Sequence, residues 1–331
     1  EHKIGALGAA GISEPTYKAL LQRARPPLEV WFEGQYRSYD RNKDGDTSDG
    51  EFAVLFLGAD YLVTDSLYIG GVIAFDHAAE LVGGGTKGRI AGTGSMIGPY
   101  MGVAITDQLV FDARILWGTS QNKLAVTDAD GSNPRSGAFD TKRWLAAASL
   151  TGLYTFGDLL VAPEVAVEFG EESQDAYVNS NGSAVAASSA SFGRLTFGPE
   201  LRYNTFDSEG TKWSPFVSLK GIWTFASSAD DEGDLHGKLE AGLAIMRPDG
   251  VSFEGSMSYE AGGDDEMKIF GVNGVFRVPE LEKALAVNFS PDACKGITLK
   301  ADDMLSDIHG SAEYRAAMVP VMAARAVAAA K

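Results

Sequence analysis

Residues 235–259 constrain the fold more than any other stretch of the chain. Apolar side chains occupy every second position from Leu235 to Ile245, and polar residues such as His236 and Glu240 lie between them. A period of two is that of a β-strand with one apolar and one polar face. A Pro-Asp-Gly turn at 248–250 leads into a second alternating run, since Pro fixes φ and Gly accepts a positive φ. The stretch therefore predicts a β-hairpin.

The length of these runs points to a membrane. Each has about ten residues, more than the common strand length of ~5–6 and equal to the ~9–11 that a tilted strand needs to cross a bilayer. The chain has no run of ~18 apolar residues, but the apolar band of a β-barrel lies on alternate residues and escapes hydropathy windows. Similar runs recur along the chain and predict twelve strands: 29–39, 51–63, 66–77, 92–105, 108–119, 139–156, 159–171, 190–206, 212–225, 235–245, 251–260 and 267–278.

The connections between the strands alternate in length. Short turns such as Thr64-Asp65 and Thr106-Asp107 alternate with longer polar stretches such as 40–50 and 172–189. Outer-membrane barrels have short periplasmic turns and longer extracellular loops, and an even strand number places both ends on the periplasmic side. We therefore expect an all-β fold, a twelve-stranded antiparallel transmembrane β-barrel.

The polar strand faces carry charges of both signs. A dry core could not hold them unpaired, whereas a water-filled lumen could. The apolar faces end in aromatic residues, as interfacial girdles do, and Val217, Leu239, Leu243 and Phe253 are expected to face lipid. The residues predicted to line the pore are Glu33, Arg37, Asp112, Arg114, Glu164, Glu168, Arg194, Glu200, Arg202, Lys220, Lys238 and Glu240.

The composition argues against several other classes of protein. A net charge of −17 offers no basic stripe for nucleic acid. One cysteine, Cys294, allows no internal disulfide framework. The four histidines have no metal-ligand spacing, and neither a nucleophile elbow nor a phosphate loop is present. The sequence therefore predicts no enzyme, no cofactor and no nucleic-acid partner.

One segment matches a calcium-binding pattern. Residues 40–51 fit an EF-hand loop, with Gly45 at position 6. The flanking sequence, however, indicates strands where an EF-hand has helices, so a metal site is only a weak alternative. Its ligands would be Asp40, Asn42, Asp44, Ser48 and Glu51.

The N-terminal segment predicts a short helix at 14–25. Ser13 precedes Glu14-Pro15, a helix start, and Pro26-Pro27 ends the pattern. Lys18, Arg23 and Arg25 make the segment basic in an acidic chain.

From residue 27 to 279 the sequence resembles the C-terminal translocator domain of autotransporters (type V secretion). This resemblance implies that an N-terminal passenger is exported through the barrel to the cell surface. It also implies that the chain lies in the bacterial outer membrane, among outer-membrane lipid, and is inserted by the barrel assembly machinery. The matching stretches are Leu28 to Gly34, Gly58 to Val63, Gly94 to Ala104, Phe111 to Arg114, Phe139 to Trp144 and Leu195 to Glu200.

The resemblance also implies a role for the N-terminal helix. In such proteins an α-helix threads the lumen and joins the passenger to the first strand. Lys18, Arg23 and Arg25 would then face lumen acids such as Glu164, Glu168 and Glu240. Some autotransporters cleave themselves in this helix at an Asn pair, but residues 14–25 contain no Asn.

Residues 280–331 depart from the family, whose members usually end at the last strand. Part of this segment, residues 307–315, resembles the C-terminal end of the FAD-binding subunit of molybdenum hydroxylases, without that family's flavin-binding loops. Helix-forming residues at helical spacing predict a helical tail. The expected organisation is a linker and lumen helix at 1–26, the barrel at 27–279 and a C-terminal extension at 280–331. A porin-like outer-membrane channel and a soluble calcium-binding β protein remain alternatives.

Overall fold

The computed structural model describes most of the barrel and part of the C-terminal segment. The described residues are 28–43, 46–228, 233–248, 250–262, 267–277, 284, 290–295, 297, 299 and 311–329. Their twelve long strands are β1 (Leu28–Lys43), β2 (Asp46–Thr64), β3 (Leu67–Gly83), β4 (Thr86–Thr106), β5 (Leu109–Asp128), β6 (Arg135–Gly152), β7 (Leu159–Gln174), β8 (Ser188–Tyr203), β9 (Lys212–Ser227), β10 (Leu235–Met246), β11 (Ser252–Gly262) and β12 (Met267–Arg277).

The strands close into a ring. Each long strand pairs antiparallel with its neighbours in sequence, and β12 returns to pair with β1, where Phe276 lies opposite Phe32. In the described residues, closure gives every long strand a hydrogen-bonded neighbour on both sides, as a sheet in lipid requires. The predicted twelve-stranded antiparallel barrel is confirmed.

The predicted loops on one side of the barrel are wrong in extent. Residues 40–43 and 46–50 belong to β1 and β2, with Asp40 opposite Asp49, and β3 and β4 are separated only by residues 84–85. These polar stretches continue the β-ladder because both of their faces can be hydrated. β4 has 21 residues, which span roughly 70 Å along the strand. The lipid band is only about 25 Å tall, so the sheet extends beyond it.

Two rings of outward aromatic residues mark the lipid band. On β9, Trp213 and Trp223 are both exposed and stand ten residues apart, roughly 33 Å along the strand. At a tilt of about 45° this is roughly 23 Å of height, close to the ~25 Å apolar band of outer-membrane barrels. Exposed Tyr61, Tyr154 and Tyr203 extend the ring at the short-turn end.

The turn from β8 to β9 is held by its own hydrogen bonds. The Asp207 carboxylate accepts from Trp213 Nε1 at 3.2 Å and from the backbone N–H groups of Glu209 and Thr211, both at 2.9 Å. The indole hydrogen bond, followed by those from the backbone, lowers the pKa of Asp207 below its usual value. Between β7 and β8, a small hairpin pairs Tyr177–Val178 with Ala184–Val185.

Beyond the barrel, the described residues form a 3₁₀ turn, Pro291–Cys294, and one α-helix, α1 (Ala312–Ala329). The helical character predicted for the tail is thus confirmed for residues 312–329. The predicted helix at 14–25 lies outside the described residues. Among those described, no helix has the length and apolarity needed to cross a bilayer.

Candidate functional site: the barrel lumen

The two faces of the barrel wall differ in accessibility. Val217 and Leu239 are exposed on the outside, while their neighbours Ser218 and Glu240 are buried on the inside. Leu243 and Phe253 also lie on the outer face, partly buried. The residues on the inward positions include all those predicted to line the pore: Glu33, Arg37, Asp112, Arg114, Glu164, Glu168, Arg194, Glu200, Arg202, Lys220, Lys238 and Glu240.

Several of these side chains form ion pairs along the lumen wall. Lys220 Nζ lies 2.7 Å from Glu164 Oε2, joining β9 to β7, and Lys238 Nζ lies 2.9 Å from Glu240 Oε2. Burial of a charge is costly unless it is paired and hydrogen-bonded, and these contacts supply that pairing.

Arg202 is held by three contacts. Its Nε lies 2.8 Å from Glu200 Oε1, and its Nη1 lies 3.1 Å from Glu254 Oε2 on β11. The guanidinium also stacks over the ring of Phe216 at 4.3 Å from the centroid, where a cation–π attraction adds to the ionic ones. Glu254 was not predicted as a lumen residue, although its position in the alternation of β11 would have indicated it.

A second network crosses the lumen. Glu168 of β7 interacts electrostatically with Arg37 of β1, Arg114 of β5 and Arg194 of β8. In a ring of twelve strands, β1 and β7 stand on opposite walls. Arg37 interacts further with Glu260 and Glu240. Charges from facing walls therefore act on one another at this level of the lumen.

A buried ion pair that the sequence did not reveal lies nearer the end of the barrel opposite the short turns. Arg143 of β6 forms a bidentate pair with Asp76 of β3, with Nη1 to Oδ1 at 3.1 Å and a shorter contact between Nη2 and Oδ2. Glu172 accepts hydrogen bonds from Thr141 and Ser120 beside it. These groups line a cavity of about 680 Å³ inside the barrel.

Part of the lumen wall is apolar, which the sequence analysis did not predict. Inward side chains of β1 to β6 form a buried cluster of Trp31, Phe52, Val54, Phe56, Val72, Ala74, Met96, Leu116 and Leu145. The missed signal is the continuous apolar run of residues 52–59, because such runs are typical of strands buried on both faces. The lumen is therefore divided: apolar residues cluster on β1–β6, and many of the charged residues lie on β7–β11.

An aromatic network anchors the apolar side. Trp31 Nε1 donates to Tyr100 OH at 2.6 Å, and Tyr100 OH donates to Asp60 Oδ2 at 2.7 Å. The rings of Trp31 and Tyr100 meet edge to face, with centroids 5.9 Å apart. Gly58 lies opposite Trp31 in the β-ladder, and a Cβ there would come within 2.1 Å of the indole.

We expect Gly58→Ala to displace Trp31 and to lower the free energy of unfolding by about 1–3 kcal/mol, the usual cost of overpacking. The control is Gly34→Ala on β1, where a Cβ would meet nothing within 4 Å. Urea titration of the two variants in the same lipid vesicles measures the difference. Equal midpoints would show that Gly58 is not needed for the seating of Trp31.

The calcium-loop pattern lies in a β-hairpin. Asp40 and Asn42 are on the outer face of β1, whereas Ser48 is on the inner face of β2 and hydrogen-bonds Glu80. The oxygen atoms of an EF-hand loop instead converge on one ion. Glu51 lies on the outer face, where its carboxylate accepts a hydrogen bond from the Tyr36 hydroxyl at 3.2 Å. Asp44 is not among the described residues. Within the described part of the chain, no group of three or more His, Cys, Asp or Glu side chains could hold a metal ion.

Comparison with known proteins gives a consistent result. Residues 30–264 match the family described as the autotransporter beta-domain. Similar solved structures include the β-domain of the Bordetella autotransporter BrkA (17% identity, TM-score 0.67, covering 76% of this chain and 99% of that one). Another is the transport unit of AIDA-I from Escherichia coli (15% identity, TM-score 0.56, 78% and 92%).

A third similar structure is the translocator domain of NalP from Neisseria meningitidis (12% identity, TM-score 0.55, 78% and 90%). Comparison with curated protein sequences gives no match. The structural likenesses show the fold, and the family match extends over most of the chain. The chain belongs to the autotransporter family and carries its β-domain, an outer-membrane translocator.

Proposed function

We propose that the charged residues on the inward face line the conduit through which the passenger reaches the cell surface. The observation that carries this proposal is the network around Glu168, in which arginines of three other strands, one of them Arg37 on the facing wall, act on one carboxylate inside a closed ring. Water in the lumen lowers the cost of charges that lipid would not tolerate.

In this proposal the barrel performs no covalent chemistry. It supplies a hydrogen-bonded wall in lipid and a polar path through it, and it needs no cofactor. Its partners are its own passenger, outer-membrane lipid against the exposed apolar face, and the barrel assembly machinery that inserts it. Residues 27–279 form the translocating unit, 1–26 link it to the passenger, and 280–331 form an extension.

Export is tested with an epitope placed before Glu1 of the full chain in intact Gram-negative cells. An autotransporter translocator presents this epitope to protease added outside the cells. A porin-like channel would leave it in the periplasm, and protection of the epitope in cells whose barrel is folded would overturn the export role.

The lumen helix proposed for residues 14–25 is tested by charge reversal. Lys18→Glu, Arg23→Glu and Arg25→Glu together would repel Glu164, Glu168 and Glu240, so we expect a larger single-channel conductance in planar bilayers. The matched control reverses Lys87, Lys123 and Lys142, which are exposed on β4, β5 and β6. Identical conductance of the two triple variants would rule out a basic helix held by the lumen acids.

A further inference from the structure

The C-terminal extension covers one patch of the outer barrel wall. Outward apolar residues elsewhere are largely open, such as Leu239, which is 53% exposed. Val30 also points outward on β1 but is only 3% exposed. It is buried against Cys294 of the 3₁₀ turn and Ala323 of α1. This part of the wall is therefore covered by protein.

The covered patch lies across the seam where the barrel closes. In the β-ladder, Phe32 of β1 has Leu57 of β2 on one side and Phe276 of β12 on the other. All three pack against the cluster of Val30, Cys294 and Ala323. The extension thus contacts the first and the last strand of the barrel together.

In the described residues, Trp31 of β1 pairs with Arg277 of β12 at one end of the seam. Val30 adjoins Trp31 in β1, and packing from the extension covers it.

Small residues let α1 approach the wall closely. Ala323 is fully buried (0% exposed) and Ala316 is buried on the same side of the helix, while Tyr314, Ala317 and Val321 are exposed on the other. Residues Val319 and Ala324 pack against the cluster beside Ala323. The inner face of α1 thus packs against the barrel wall through small side chains.

We propose that the C-terminal extension is a clamp: it docks on the outer wall of β1, β2 and β12, in place of lipid, and holds the barrel seam closed. It adds side-chain packing to the backbone hydrogen bonds that join β1 to β12. Release of the clamp loosens this strand pair and leaves the other pairs of the barrel unchanged. The clamp is independent of what passes through the lumen.

Cys294, the chain's single cysteine, provides the probe. Ala323→Leu overfills the buried contact, and Ala317→Leu makes the same change on the exposed side of α1. We expect Ala323→Leu to speed maleimide labelling of Cys294 in the folded full-length protein by roughly tenfold, because overpacking of a buried site weakens it by about that factor or more. The Ala317→Leu variant should label at the wild-type rate.

The seam itself is followed by amide hydrogen exchange in the same samples. We expect Ala323→Leu to raise exchange at the rungs between residues 31–40 and 268–277 and to leave the β4–β5 rungs unchanged. If both variants label Cys294 alike, the docking is overturned. If Ala323→Leu exposes Cys294 without raising exchange at the seam, the clamp is overturned, because the extension would then be a passive cover.

Discussion

We expect Leu219→Arg to lower the free energy of unfolding in lipid by about 2–4 kcal/mol, the cost of arginine on the lipid face near the bilayer midplane. Leu219 lies on the outer face of β9 between Trp213 and Trp223, and its side chain is 63% exposed. In water such a position would tolerate a charge easily. In lipid, the guanidinium has no partner at that depth.

The control for Leu219→Arg is Phe206→Arg, because Phe206 is 67% exposed but lies at the short-turn end of the barrel, in a two-residue strand opposite Lys212. Near the interface, arginine costs only ~0–1 kcal/mol. Urea titrations of both variants in phosphatidylcholine vesicles give the two losses in free energy of unfolding. Equal losses at the two positions would mean that the outer face of β9 does not lie in hydrocarbon.

We expect Arg143→Gln to lower the free energy of unfolding by about 3–5 kcal/mol, because it leaves the Asp76 carboxylate uncompensated in a buried site. The side chains of Arg143 and Asp76 are only 3% and 6% exposed. Glu172 lies close by and interacts with both. Removal of the Arg143 cation therefore leaves the repulsion between the Asp76 and Glu172 carboxylates uncompensated. The adjoining cavity of about 680 Å³ has polar lining residues and room for water, which places the effect toward the lower end of this range.

The same strand carries a matched control for Arg143→Gln. Arg135 also lies on β6 and pairs with Asp128 at 2.8 Å, but these side chains are 27% and 40% exposed. A surface pair of this kind contributes about 0–1 kcal/mol, so the free energy of unfolding of Arg135→Gln should be close to that of the wild type. A small loss for Arg143→Gln as well would show that the lumen is wet enough to solvate Asp76 alone.

The alternation of side chains and the alternation of short and long connections together were enough to predict the fold. Strands of about ten residues or more joined by such connections are typical of outer-membrane barrels, and the hairpin around Gly250 follows from its turn residues. The same alternation placed Glu164, Lys220 and Glu240 on one face. It could not indicate that Lys220 pairs with Glu164, because these two residues come from strands 56 positions apart in the sequence.

Three features could not be predicted from the sequence, for physical reasons. Polar residues such as Asp40 and Asp49 have the composition of a loop, but backbone hydrogen bonds between β1 and β2 extend the β-ladder through them. The apolar side of the lumen was missed because residues such as Phe52 and Phe56 make both faces of β2 apolar. Where both faces are apolar, the sequence pattern does not indicate which face points into the lumen. The packing of the extension on Val30 carries no local sequence signal at all.

The central claim is that lipid covers the outer face of the barrel while the inner face surrounds the conduit. Nitroxide labels placed singly at Val217, Ser218, Leu239 and Glu240, with Cys294→Ser as background, measure this directly through collisions with dissolved oxygen, which concentrates in lipid. The account predicts high oxygen accessibility at 217 and 239 and low accessibility at 218 and 240. Equal accessibility at all four positions, or the reverse pattern, would contradict it.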